Sequence, residues 1–137
     1  VQILAVLTMD GCLSSELYDK AHQDLCLDRC GLDEIRKKAF YRVTPDYSIS
    51  MLHEWRKDCT NIRYLAEATP DTADYINGLL RMHAVDEIIL YTVPFISGSG
   101  RHFFKSALPE QHWTLSSLKS YPNGVCRIIY ILDKKAR

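Results

Sequence analysis

The stretch Val85-Asp86-Glu87-Ile88-Ile89-Leu90-Tyr91-Thr92-Val93-Pro94, which continues through Phe95-Ile96-Ser97 into Gly98-Ser99-Gly100, decides the reading of this chain. Its middle is β-branched, aromatic and almost without polar side chains. Such residues pack well on a pleated surface, so 85–94 reads as a strand. Strict alternation is missing, and a near-continuous apolar run suits a strand buried on both faces. The proline cannot donate to a ladder and marks its end. The glycines behind it make a loop whose backbone N–H groups could cradle an anion, with Arg101 and His102 beside it; a simple connecting loop is the equal alternative.

A second run of the same kind opens the chain. Residues 1–7, V-Q-I-L-A-V-L, read as another central strand, closed by the turn signal Met9-Asp10-Gly11. Between the two runs, residues 15–30 are polar, with Leu17, Tyr18, Ala21 and Leu25 at helical spacing, and could be a helix or a partly ordered loop. Leu32, Ile35, Ala39 and Phe40 mark one face of a helix. Thr44-Pro45-Asp46 predicts a helix start, with Tyr47, Met51, Leu52 and Trp55 as its stripe. Residues 62–66 suit a short strand. Thr69-Pro70-Asp71 repeats the helix-start pattern, and Ala73, Ile76, Leu79, Leu80 and Ala84 form the buried face that follows. Beyond the glycine loop, 113–117 and 124–132 read as strands joined by the hairpin signal Pro122-Asn123-Gly124. The order β, helices, β, α, β, β-hairpin predicts one α/β domain over 1–137, with helices packed on a single sheet.

Composition narrows the function classes. Lys and Arg number 17 and so do Asp and Glu, which argues against a broad nucleic-acid or anionic-membrane footprint but leaves room for a local basic pocket. Five cysteines without close pairing read as free thiols in a reducing compartment. No apolar run is long enough for a membrane helix, and no leader pattern is visible, so the cytoplasm is the expected location. His22, Cys26 and Cys30 would share a helical face, but a fourth ligand at motif spacing is missing, so no metal site is expected. P-loop, zinc-ribbon and nucleophilic-triad patterns are absent.

Two segments carry a resemblance. Ala5-Val6-Leu7-Thr8-Met9-Asp10-Gly11-Cys12-Leu13-Ser14 is similar to the opening strand and Ser-Leu-Asp-Gly-like turn of the dihydrofolate-reductase superfamily. The stretch from Val85 to Gly100 resembles that family's Asp-Glu strand, proline and Gly-x-Gly loop, and Phe103-Phe104 stands where the family often has Leu-Phe. The C-terminal hairpin agrees. The likeness is nearer to the reductase domain of the bacterial riboflavin-biosynthesis deaminase-reductases than to true folate reductases. It implies a three-layer α/β sandwich with a central mixed sheet and a C-terminal antiparallel hairpin. It also implies NADPH as cofactor, a small-molecule substrate and a homodimer. On this resemblance Ala5, Thr8, Pro94, Gly98, Ser99 and Gly100 are candidate cofactor contacts, and Asp10 is the candidate substrate-facing acid.

Two departures matter. The family's Gly-Gly pair before its last long helix is replaced by Ala68 and Thr69, followed by Pro70 and Asp71. Two side chains, a residue without an N–H and a carboxylate at a helix start each oppose a phosphate there. Second, residues 32–61 offer two helical patterns and no convincing strand, so the middle of the sheet is expected to be reduced. A non-catalytic binding or assembly module of the same fold is therefore the alternative to a reductase. Structural readings stand beside the functional ones: Asp10 as a turn former, Asp86-Glu87 as end-tying acids, Trp55 and Trp113 as core or rim aromatics, Lys37-Lys38 and Lys134-Lys135 as solvated charges.

Overall fold

The computed structural model describes residues 1–13, 31–39, 41–48, 51, 64–69, 71–94, 96, 101–104, 108–122 and 124–133. Both apolar runs are strands: β1 spans Gln2–Leu7 and β5 spans Glu87–Thr92, paired in parallel from Gln2↔Glu87 to Leu7↔Thr92. On the far side of β1 lies β4 (Tyr64–Glu67), and beyond it the two-residue β3 (Tyr41–Arg42), both parallel. The hairpin strands β7 (Trp113–Ser120) and β8 (Cys126–Leu132) join the other side, β8 antiparallel to β5. The sheet order is β3-β4-β1-β5-β8-β7. Two helices are described: α1 (Leu32–Lys38) and α2 (Ala73–Arg81).

The pleat sorts the side chains into two cores. Ile3, Ala5, Leu7, Tyr64, Ala66 and Ile88 face one way and pack with Ala73, Ile76, Leu79 and Leu80 of α2. Leu4, Val6, Leu65, Ile89, Tyr91 and Val93 face the other way and meet Ile35 of α1 and the following Ala39. This is the expected three-layer sandwich. Burial on both faces explains the unbroken apolar spelling of β1 and β5. Removing a leucine or isoleucine side chain of this kind from water contributes about 1.5–3 kcal/mol.

Local chemistry sets the ends. The stripe of α2 is buried as its spacing predicts, but the helix begins two residues later than Asp71. Thr72 is its N-cap, because the Thr69–Thr72 turn is first closed by a backbone bond of 3.1 Å. Its C-terminus has the N–H of Ala84 on the carbonyl of Leu79 (3.0 Å) and that of His83 on Leu80 (3.1 Å). That double bond pattern needs a left-handed residue, and His83 takes the role at φ 56°. The hairpin turn is confirmed by Gly124 at φ 88° and by the N–H of Tyr121 on the carbonyl of Val125 at 2.9 Å.

Four expectations are corrected. A second, two-stranded sheet exists, formed by β2 (Cys12–Leu13) and β6 (Arg101–His102), so the chain does not make a single sheet. The 32–61 region does hold a strand, β3, too short to show alternation and fixed by pairing with β4 rather than by its own pattern. Thr44 does not start a helix. The chain turns at Pro45 and Asp46, and the Ser48 hydroxyl accepts the N–H of Met51 (3.1 Å), the bond an N-cap makes. The fourth strand runs on to Glu67, one residue past its expected end, and residues 62 and 63 lie outside the described residues. The 15–30 segment, Phe40, the His22/Cys26/Cys30 trio, Trp55 and Lys134-Lys135 lie outside the described residues. Trp113 is half-buried against the α2-side core.

Candidate functional site

The topology singles out one end of the sheet. Among the described residues, the first helix after β1 is α1, on one face, and the first helix after β4 is α2, on the other. Where successive helices diverge to opposite faces, the carboxyl ends of the two strands border a crevice, the usual ligand site of open α/β sheets. Here the borders are Thr8 to Cys12 after β1 and Ala68 to Thr72 after β4.

The first border is a tight, polar turn. Gly11 takes φ 77° and donates its N–H to the carbonyl of Thr8 at 3.0 Å, while the Thr8 N–H reaches the carbonyl of Cys12 at 3.2 Å. Thr8 is buried; its hydroxyl donates to the Asp10 carboxylate and accepts the N–H of Cys12 (3.1 Å). The Cys12 thiol donates to the same carboxylate at 3.5 Å. Asp10 is thus both the turn residue that its dipeptide suggests and a half-buried carboxylate held as an acceptor by a hydroxyl and a thiol. Cys12 pairs across the small sheet with His102, its Sγ 3.9 Å from Nδ1. Sequence reading did not connect these two residues, because β2 and β6 are two residues long and ninety positions apart in sequence. Neither Cys12 nor Cys126 is in a disulfide. Among the described residues no three His, Cys, Asp or Glu side chains are placed to hold a metal ion.

The Gly98-Ser99-Gly100 segment lies outside the described residues, but both of its flanks are tied to this border. Upstream, the N–H of Val93 binds the carbonyl of Leu7 (2.9 Å). Downstream, β6 pairs with β2 and the N–H of Phe103 binds the carbonyl of Gly11 (3.1 Å). Phe103 is wholly buried, and its carbonyl accepts the Asn77 amide at 2.7 Å. Asn77 is itself buried within α2 and also donates to the carbonyl of Ala73 at 2.7 Å. It is a positioning residue that sequence reading missed; the available signal was an amide inside the apolar stripe between Ile76 and Leu80. Of the other candidates, Ala5 is enclosed in the core behind the turn, and Pro94 is exposed and packed against the hairpin, so that a Cβ on Gly124 would come within 3.1 Å of its ring. Asp86 accepts the N–H of Leu132 through its carbonyl (2.9 Å), and Glu87 accepts the Gln2 amide.

The second border bears on the dinucleotide question. Ala68 is buried in the α2-side core, so its methyl group does not crowd the crevice as the Gly-to-Ala change suggested. The N–H of Thr69 is taken by the Thr72 hydroxyl (2.8 Å), but no side chain caps α2. An incoming acceptor, such as a cofactor phosphate, would therefore meet no capping side chain at that helix start. The geometry fits; the charge opposes it, since Asp71 is exposed at the approach and Asp74 lies in the first turn.

No family model matches this sequence. No curated protein matches it either. Solved structures do. The chain is similar to a protein of Shewanella sp. PV-4 described as a riboflavin biosynthesis protein, with TM-score 0.62 and 12% identity over 97% of this chain and 99% of that one. It is also similar to the Thermotoga maritima diaminohydroxyphosphoribosylaminopyrimidine deaminase/5-amino-6-(5-phosphoribosylamino)uracil reductase, with TM-score 0.57 and 10% identity over 96% of this chain. The match spans 56% of that longer protein. Among the described residues no helix is long and apolar enough to cross a membrane. The fold of this chain is thus the dihydrofolate-reductase-like fold, in the form found in riboflavin-biosynthesis proteins.

Proposed function

We propose that the chain is an NAD(P)H-dependent reductase of the riboflavin-biosynthesis type. Its substrate is a small polar heterocycle or a sugar-derived molecule, bound in the crevice between the ends of β1 and β4. The observation that carries this reading is the anchoring of both flanks of the glycine segment to the Thr8–Cys12 turn by Val93, Phe103 and the β2–β6 pair. Nicotinamide dinucleotide supplies the hydride when bound. The chain's own residues bind and orient. Thr8, Pro94, Gly98, Ser99 and Gly100 are the proposed cofactor contacts, with Ala5 in the wall behind. The uncapped start of α2 takes a phosphate. Asp10, acceptor-only when ionised, takes N–H groups of the heterocycle and fixes its orientation.

The test is a titration of NADPH and of NADH followed by cofactor fluorescence. Saturable binding of one of them is expected, and Asp71→Asn tightens it by about two- to fivefold, the size of a charge effect at a helix end. Absence of binding of both at high micromolar concentration overturns the reading. The carboxylates of Asp71 and Asp74 favour a second one, a binding or assembly module that has lost the dinucleotide site; failure to bind in the Asp71→Asn, Asp74→Asn double variant as well would support it.

A further inference from the structure

The sheet holds the two borders of the crevice together only at their roots. The β1–β4 ladder runs from Gln2↔Leu65 to Leu4↔Glu67, followed by the N–H of Ala68 on the carbonyl of Leu4 (2.7 Å). β1 continues to Leu7 before the Thr8–Cys12 turn begins. A second route joins that turn to α2. The Asn77 amide, one helical turn inside α2, donates to the carbonyls of Ala73 and Phe103, each at 2.7 Å. The N–H of Phe103 donates to the carbonyl of Gly11 (3.1 Å), and the N–H of Gly11 to that of Thr8 (3.0 Å). Phe103 is therefore held through its carbonyl by α2 and through its N–H by the turn.

Asn77 and Phe103 are both 0% exposed. Asn77 shares the buried face of α2 with Ile76 and Leu80. An amide there costs desolvation that a leucine of similar size would avoid. What the amide adds is direction: apolar contact is non-directional, whereas a hydrogen bond between fixed groups sets a position. The Ala73 carbonyl also takes the backbone N–H of Asn77, as α-helical pairing provides. The bond that only the side chain can make is the one to Phe103.

We propose that Asn77 is the strut that fixes the separation of the two crevice borders, and that it thereby favours a ligand long enough to touch both at once. This rests on the reading of the crevice as a dinucleotide site. A ligand that reaches both borders makes its second contact intramolecularly, an advantage that depends on the contacts being held at the matching distance. A ligand that touches one border loses nothing when that distance changes. Asn77 is wholly buried and acts without touching the ligand, as a positioning residue.

The test compares Asn77→Leu with the unaltered full chain. Amide hydrogen exchange reads the strut itself. Exchange at Phe103 is expected to rise about tenfold relative to that at Val93, the upstream flank, the size of one hydrogen bond's net contribution. Titration reads the consequence. NADPH is expected to bind about tenfold more weakly, while 2′-phospho-ADP-ribose, which has the phosphates but no nicotinamide, changes by less than about twofold. Equal weakening of both nucleotides, or no weakening of NADPH, overturns the proposal, since a general loss of structure would act on both alike. Unchanged exchange at Phe103 relative to Val93 overturns it whether or not any nucleotide binds. If neither nucleotide binds the unaltered chain, the dinucleotide reading fails and the ligand preference with it, and exchange alone decides the strut. Should Asn77→Leu fail to fold, Asn77→Ala, which adds no volume to the core, is read by the same measurements.

Discussion

The two halves of the sheet are built on different rules. In the parallel half, β1 and β5 are enclosed between α1 and α2, and Ile3, Leu4, Leu65 and Tyr91 are fully or almost fully buried. In the hairpin half, β7 is exposed along most of its length, and Leu115 and Leu118 stand 52% and 62% open. Leucine is present in both halves and does different things. In the first it fills space that nothing else can fill. In the second it lies on a surface, and the strand is held by its ladder to β8. An apolar residue therefore reports on stability only once its covering layer is known, and the carboxyl ends that carry the crevice belong to the covered half.

The largest effect that would break this contrast comes from matched truncations. Leu4→Ala is expected to cost about 2–5 kcal/mol, because close-packed surroundings cannot collapse onto the space left. Leu118→Ala is expected to stay within about 0.5 kcal/mol. Denaturant unfolding of the two variants measures both, and equal losses would mean that the hairpin is covered after all. A middle-sized effect belongs to the turn. Gly124→Ala places a Cβ at a left-handed φ and against the Pro94 ring, and is expected to cost about 1–2 kcal/mol. Hydrogen exchange should show the loss concentrated in β7 and β8, with β1 and β5 little changed. The smallest effect is in pH. Tyr75 of α2 donates its hydroxyl to the carbonyl of Tyr47 at 2.7 Å, and burial raises its pKa above the ordinary 10.0. A raised value in the folded state means that its contribution is complete below about pH 10 and is lost as pH rises through the folded value. Alkaline unfolding should therefore set in above that point, and Tyr75→Phe should remove that component.

The covered half was also the legible half. A strand enclosed on both faces has to be apolar throughout, so β1, β5 and the stripe of α2 could be read from residue type alone. The corrections fall where pairing rather than pattern makes the element. Two-residue strands such as β2, β3 and β6 have no periodicity to display, and they exist because another segment supplies the ladder. The candidate site follows the same division. Asp10 and the flanks of the glycine segment could be found, because a turn and a Gly-x-Gly loop have their own chemistry. His102 beside Cys12, and Asn77 holding Phe103, could not, since each depends on a contact made by distant parts of the chain. The reading of Ala68 as an obstruction failed for a related reason. A sequence gives the size of a side chain but not the face to which it turns.

The central position of β1 has a consequence for the order of assembly. This strand leaves a ribosome before either of its neighbours, which are Leu65 to Glu67 on one side and Glu87 to Thr92 on the other. Non-local pairing of this kind is slow, because chain entropy is lost before any contact rewards it. Until β5 has been synthesised, Ile3 to Leu7 are an apolar segment with two unpaired edges, open to self-association. The feature that gives the finished molecule its most protected strand leaves that strand uncovered for as long as its neighbours are still being made.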